Sequence, residues 1–185
     1  PQELYGVEGL GTESSPYLVD SADDLSTINQ LSTSMRNGTS INVELVSDVD
    51  ITDAEYDRTT GSFINYFRGT FDGNGYAITG TNHSVSFILQ VTLDSTVVRD
   101  LTIDIGSTTE LIFYCNGELL MSDITVEGWG TGSYDGTNNS PFISHAFGDI
   151  TMERCVNNAS LILGNYGAVF LGGYVNNGHS ATFID

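Results

Sequence analysis

Asp48, Asp50, Asp53 and Asp57 place four carboxylates within ten residues. Hard cations such as calcium draw oxygen ligands from clusters of this kind, so these four are the candidate ligands if the chain holds an ion. The run is not a helix–loop–helix calcium loop, because Thr52 and Asp53 stand where Asp and Gly are needed. The competing reading is a strand end bearing solvated acids. Asp100, Asp123 and Asp149 form a second set, each opening a similar five-residue phrase. On adjacent strands of a stack they would stand about 4.8 Å apart. That is close to the roughly 5–10 Å between two carboxyl groups that flank a scissile glycosidic bond. An acidic sugar, however, needs cations to receive it, and only Arg99 and Arg154 lie near this set. No nucleophile elbow, paired-histidine or phosphate-loop pattern accompanies the carboxylates, so no residue is assigned to catalysis.

Cys115 and Cys155 are too far apart for a CxxC redox or metal motif. They read either as two buried thiols or as a disulfide between neighbouring coils, which an oxidising compartment would permit. His83, His145 and His179 show no metal-ligand spacing. Four Asn-x-Ser/Thr sequons occur, of which Asn37, Asn82 and Asn158 are the glycosylation candidates; Asn138 is disfavoured by Pro141 directly after its Ser140.

The chain that must position these groups has 185 residues, with 24 Asp and Glu against 5 Arg and no Lys, a formal charge of -19. Such a surface repels polyanions, which excludes nucleic acid as a partner. No basic amphipathic stretch or long apolar run is present, which excludes direct membrane insertion. With 39% hydrophobic and 16% charged residues there is material for a core, so the chain is not an acidic disordered tail. Abundant Gly (21) against 3 Pro points to many short strands joined by tight turns.

Residues 1–16 read as an extended lead-in. Ser21 and Asp24 have the form of a capping box, and Leu25, Ile28, Leu31 and Met35 continue as an apolar stripe. Asn37-Gly38 then supplies a stop, so one helix is expected over about 22–35. Alternating aliphatics from Ile41 to Ile51 start the strands, completing an N-terminal cap unit over 17–80.

Beyond residue 80 the phrase Asp100-Leu101-Thr102-Ile103-Asp104 recurs as Asp123-Ile124-Thr125-Val126-Glu127 and Asp149-Ile150-Thr151-Met152-Glu153, with a weaker copy at Ser180-Ala181-Thr182-Phe183-Ile184. Each copy follows an apolar pair or triple: Phe87-Ile88-Leu89, Leu111-Ile112-Phe113, Phe142-Ile143 and Phe170-Leu171. Periods of this length indicate stacked supersecondary units. The expected fold is all-β, a right-handed parallel β-helix whose coils occupy 81–185, closed at its N-terminal end by the single helix. A sandwich of the same strands is the alternative, but it does not account for the recurring phrase. With nothing comparable closing the other end, the stack is expected to continue beyond Asp185 in a longer protein.

Gly11-Thr12-Glu13-Ser14-Ser15-Pro16-Tyr17-Leu18-Val19, the Asp23-Asp24-Leu25 helix, Val43 to Thr52 and Phe67-Arg68-Gly69-Thr70-Phe71-Asp72-Gly73-Asn74-Gly75-Tyr76 follow one another in an order that resembles secreted surface proteins with GLUG-type repeats. The likeness covers about residues 9–80, and Phe170-Leu171-Gly172-Gly173 is the nearest approach to the regular Gly-Leu-x-Gly phrase. The resemblance implies an extracellular, cell-surface β-helix of adhesin-like type. The function expected is therefore that of a non-enzymatic structural or adhesive module of a surface or filament-forming protein. Its partners would be further repeats, copies of itself, or cell-surface glycans and proteins. The alternative is a carbohydrate-binding or polysaccharide-cleaving β-helix, with Tyr residues and Trp129 stacking on sugars. No cofactor is expected other than calcium, which along with moderate salt should relieve repulsion among the acidic ladders.

Overall fold

The computed structural model of the chain describes residues 3–80, 86–92, 95–105, 110–127, 129–130, 140–161, 170–172 and 178–185. Its elements in chain order are β1 (Tyr17–Val19), α1 (Ala22–Asn29), α2 (Ser32–Arg36), β2 (Ile41–Leu45), β3 (Val49–Asp50), β4 (Ser62–Phe67), β5 (Gly69–Asp72), β6 (Ala77–Gly80), β7 (Ser86–Val91), β8 (Thr96–Ile105), β9 (Ile112–Cys115), β10 (Leu119–Glu127), β11 (Trp129–Gly130), β12 (Ile143–Ala146), β13 (Ile150–Glu153), β14 (Val156–Asn157), β15 (Ser160–Leu161) and β16 (Ala181–Ile184). Every pairing between these strands is parallel. About five turns stack into a β-solenoid. Its first face is β1, β2, β5, the front half of β8, the front half of β10, β13 and β16. Strands β3 and β6, the rear halves of β8 and β10, and β14 make the second face, and β4, β7, β9 and β12 the third.

The core is a set of ladders in which one coil's inward side chain rests on the next. Tyr17, Val43, Phe71, Val98, Met121 and Met152 are in register on the first face, none more than 2% exposed. Val49, Ile78, Ile103 and Val126 line the second, and Ile64, Ile88, Ile112 and Ile143 the third. Each buried side chain contributes on the order of 1.5–3 kcal/mol of transfer free energy. Alternation is strict along β2, but β4 and β7 run three buried, two half-buried, then one buried: Ser62, Phe63 and Ile64 are buried, Asn65 and Tyr66 are half-buried, and Phe67 is buried again. At the far end β16 is exposed along its length, with Phe183 at 55% and Ile184 at 47%.

The corner between the first and second faces is made by residues in the left-handed region: the pair Asn74 (φ 51°) and Gly75 (79°), then single residues at Asp100 (51°), Asp123 (56°) and Arg154 (49°). Asn and Asp tolerate that conformation best among residues with a Cβ, so three of the four corners have the expected chemistry. The Phe71-Asp72-Gly73-Asn74-Gly75 phrase forms a longer version of this corner. Phe71 enters the core, and Asp72 Oδ1 accepts the Asn74 N–H at 2.9 Å. Gly73 lies so close to Asp100 O and Leu101 that an added Cβ would come within 2.3 Å of the former.

The helix is capped by Ser21, whose Oγ accepts the Asp24 N–H; the return bond of the expected capping box is shifted by one residue, the Asp24 carboxylate accepting the Asp20 N–H and the Ser21 hydroxyl. Gly38 (φ 109°) ends the helical segment, with its N–H bonded to Met35 O and that of Thr39 to Ser34 O, the paired bonds of a Schellman motif. The expected single helix over 22–35 is instead two. At Gln30 and Leu31 the bonds tighten to Thr27 O and Ile28 O, although Leu25, Ile28, Leu31 and Met35 all remain buried. The break turns Asn29 and Ser32 onto the edge of β4. Asn29 Oδ1 accepts the Asn65 N–H (2.9 Å), Ser32 Oγ accepts the Tyr66 N–H (3.3 Å), and Ser32 Oγ donates to Asn29 Oδ1 (2.7 Å). Two side chains thus stand where a preceding strand would supply carbonyls. The lead-in, expected to be extended, folds in tight turns onto β1: Leu18 N–H bonds to Glu8 O, and Leu10 and Thr12 N–H to Ser15 O.

Candidate functional site

The ladder Asp100–Asp123–Asp149 is not formed. Asp100 and Asp123 do occupy one corner of successive coils, but β13 pairs Ile150 with Leu119 and Met152 with Met121. Asp149 therefore belongs before the first face, beside Glu118, and the residue that follows Asp123 at the corner is Arg154. The phrase recurs on either side of the corner, because both strands demand the same alternation. Arg154 reaches back to Asp123 through Nε–Oδ1 at 2.6 Å and Nη2–Oδ2 at 2.7 Å. Those bonds hold the Asp123 carboxyl below the usual range, opposite to the raised value a general acid requires. Asp149 is likewise held low, first by the Ser180 N–H (2.7 Å) and hydroxyl (3.1 Å), with His179 Nδ1 at 3.4 Å.

The candidate calcium ligands also engage their own backbone. Asp48 Oδ1 accepts the Ala77 N–H at 2.8 Å and Asp50 Oδ1 the Thr52 N–H at 2.8 Å. Asp57 accepts from Asn65 Nδ2 and the Thr59 N–H, each at 2.8 Å, and these bonds keep its carboxyl below the usual range. Among the described residues no three His, Cys, Asp or Glu side chains, Asp53 included, gather as a metal site.

Cys115 and Cys155 are free thiols, and the disulfide considered for them does not form. They lie in neighbouring coils but on different faces: Cys115 sits on the third face, paired with Val91 and Ala146, while Cys155 stands at the corner between the first and second faces of the next coil, with Sγ 3.8 Å from Met121 O. Burial pushes the Cys115 thiol up to about 12, so it packs as a small hydrophobe. Of the sequons, Asn37 caps α2 and Asn158 follows β14, both exposed; Asn82 and Asn138 lie outside the described residues, as does His83.

Two surfaces emerge that the sequence did not single out. The first is a cleft of about 350 Å³ on the first face, with the turn at Glu13 and Pro16 as one wall. Its floor is made by Asn42 and Glu44 of β2, Thr70 and Asp72 of β5, and Val97 and Arg99 of β8, alternate positions of three paired strands. Asp72 Oδ2 pairs with Arg99 Nε at 2.7 Å, and Glu44 Oε1 accepts Asn74 Nδ2 at 3.1 Å.

The second is an aromatic strip on the third face. Tyr66, Gln90, Tyr114 and His145 are in register, one per coil, all half-buried. The Tyr114 and His145 rings lie 5.1 Å apart, Phe113 packs against them at 4.4 and 5.0 Å, and Phe147 lies 6.3 Å from Tyr114. At the start of the same face Glu110 is 3% exposed, and both its carboxylate oxygens accept serine hydroxyls, from Ser86 and from Ser144 (2.9 Å). This carboxylate ties three coils together. Phe113 was legible as a strand residue, but the half-buried pair that it forms with Tyr114, between buried Ile112 and Cys115, follows from the bend of β9.

Compared with known protein families, with curated proteins and with solved structures, the chain matches none. Its assignment therefore rests on the fold and on these surfaces. Among the described residues no helix is long and apolar enough to cross a membrane.

Proposed function

We propose that this chain is a non-enzymatic, extracellular structural or adhesive module of a cell-surface or filament-forming protein. The observation that carries this reading is the use the fold makes of its carboxylates. Asp72, Asp123 and Asp149 bind Arg99, Arg154 and Ser180 of a neighbouring coil, and Asp48 and Asp50 cap backbone N–H groups. Acids of the type that does chemistry in other settings here hold successive coils to one another, which suits a rod that displays surfaces. The exposed sequons at Asn37 and Asn158 accord with secretion.

The alternative, a carbohydrate-binding or polysaccharide-cleaving β-helix, draws support from the acidic cleft between Glu13 and Arg99. A polysaccharide-degradation screen on the purified chain separates the two readings. The expected result is no turnover; cleavage abolished by Glu44→Gln or Asp123→Asn would overturn the module reading. Labelling of intact, unpermeabilised source cells with an antibody to the chain tests location, with surface staining as the expected outcome.

A further inference from the structure

Resting on the reading of the chain as a surface module, we propose that the aromatic strip of the third face binds neutral glycans, with sugar rings stacked on Tyr114, His145 and Phe147. The spacing of the strip is the first argument. Tyr114 and His145 belong to adjacent coils, with ring centroids 5.1 Å apart. The advance of about 4.8 Å per coil is close to the length of one pyranose unit in an extended β-linked chain. Successive sugars laid along the solenoid axis therefore meet successive coils. Phe147 widens the platform: its ring is nearly parallel to that of His145, at 13° and 6.5 Å.

Exposure is the second argument. Phe67, Phe71, Phe87 and Phe142 are fully buried, whereas Phe147 leaves 43% of its surface in water. A large ring exposed beside other half-exposed rings marks a contact surface. Phe113 packed edge-on against the Tyr114 ring and the Phe147 N–H bond to Cys115 O (2.7 Å) hold the platform in place, so little conformational freedom is lost on binding.

Charge selects the ligand class. A chain of net charge -19 repels uronates, sulfated glycans and a second copy of itself. The ladder positions Tyr66, Gln90, Tyr114 and His145 carry no carboxylate, so a cationic partner finds no counter-charge within the strip. A neutral sugar, apolar on the faces of its ring and hydroxylated at its edges, fits aromatic rings flanked by the Gln90 amide.

Titration calorimetry of the purified chain with cellohexaose, xylohexaose and mannohexaose, alongside hexagalacturonate and a hexa-arginine peptide, tests the proposal. We expect saturable binding of at least one neutral hexasaccharide and none of the charged probes. Phe147→Ala and Tyr114→Ala should each weaken it roughly tenfold, while Phe147→Trp preserves it. Circular dichroism identifies any variant that fails to fold, and Phe147, being partly exposed, is the variant that should keep its melting midpoint. Absence of binding to all three neutral probes, preference for a charged probe, or unchanged affinity in folded Phe147→Ala would overturn the proposal. The two readings fail separately: adhesion to cells without binding of the neutral probes sinks only the glycan site, whereas hydrolysis of a bound hexasaccharide sinks only the non-enzymatic module.

Discussion

Asp123 and Arg154 stand at the same corner of successive coils, both with left-handed backbone (φ 56° and 49°), and are joined by two hydrogen bonds of 2.6 and 2.7 Å. The corner demands a conformation that Arg adopts at a cost, and the bidentate pair offsets part of it. Arg154→Ala and Arg154→Gly both delete the pair, but only Gly relieves the backbone. Thermal melts should therefore show Arg154→Ala as the more damaging change, and the reverse order would show that the corner is unstrained. At Asp100, exposed and also at positive φ (51°), Asp100→Gly should raise stability by up to about 1 kcal/mol.

The edge of β4 depends on two helix side chains. Removing Ser32 Oγ by Ser32→Ala, or Asn29 Oδ1 by Asn29→Ala, leaves the Tyr66 or Asn65 N–H without its acceptor. Each should cost about 1–3 kcal/mol in urea denaturation. Both should also promote aggregation, since an unpaired strand edge is a template for another chain. Asn29→Asp, which keeps the acceptor oxygen, should be milder than Asn29→Ala.

Ile112 sits in the middle of the fully buried ladder Ile64–Ile88–Ile112–Ile143. Ile112→Ala should destabilise by about 2–5 kcal/mol and Ile112→Val by about 0.5–1.5 kcal/mol. A loss below about 1 kcal/mol for the alanine variant would mean that adjacent coils close the gap.

Acid should weaken the fold. Asp50, Asp57, Asp123 and Asp149 are all held below the ordinary carboxylate value, by hydrogen bonds led respectively by Thr52, Asn65, Arg154 and Ser180. A depressed folded value means that the stabilisation is present above the unfolded value of about 3.9. It is lost as pH falls through the lower folded values. The melting midpoint should be nearly level from pH 7 to about 5 and fall below about 4, even though discharge of the acids relieves self-repulsion. A midpoint that climbs steadily to pH 2 would show that repulsion outweighs these bonds. At pH 7 sodium chloride should raise the midpoint by screening; calcium chloride at matched ionic strength tests for a bound ion beyond that effect.

Much of the architecture was legible in local pattern. The buried stripe from Leu25 to Met35, the Ser21–Asp24 cap, the Gly38 stop and the stacked pairs Phe87-Ile88, Leu111-Ile112 and Phe142-Ile143 all stand where spacing placed them. The break at Leu31 was not legible, because the stripe runs through it unchanged and only β4 shows why Asn29 and Ser32 must turn. Asp149 was misplaced for a related reason. A strand of alternating aliphatics looks the same on either side of a corner, and the corner itself has no fixed identity: one residue of positive φ, Asp or Arg, or the pair Asn74-Gly75.

Alternating and helical periodicity in this chain already determined that short strands would stack into parallel coils beneath a helical cap, because each pattern reports which side chains must leave water. Register between coils was decided only in three dimensions. It depends on how many residues each corner and loop consumes, and those counts vary from coil to coil. That register made Arg154 the partner of Asp123, kept Cys115 and Cys155 apart, and brought Tyr114 and His145 into one strip.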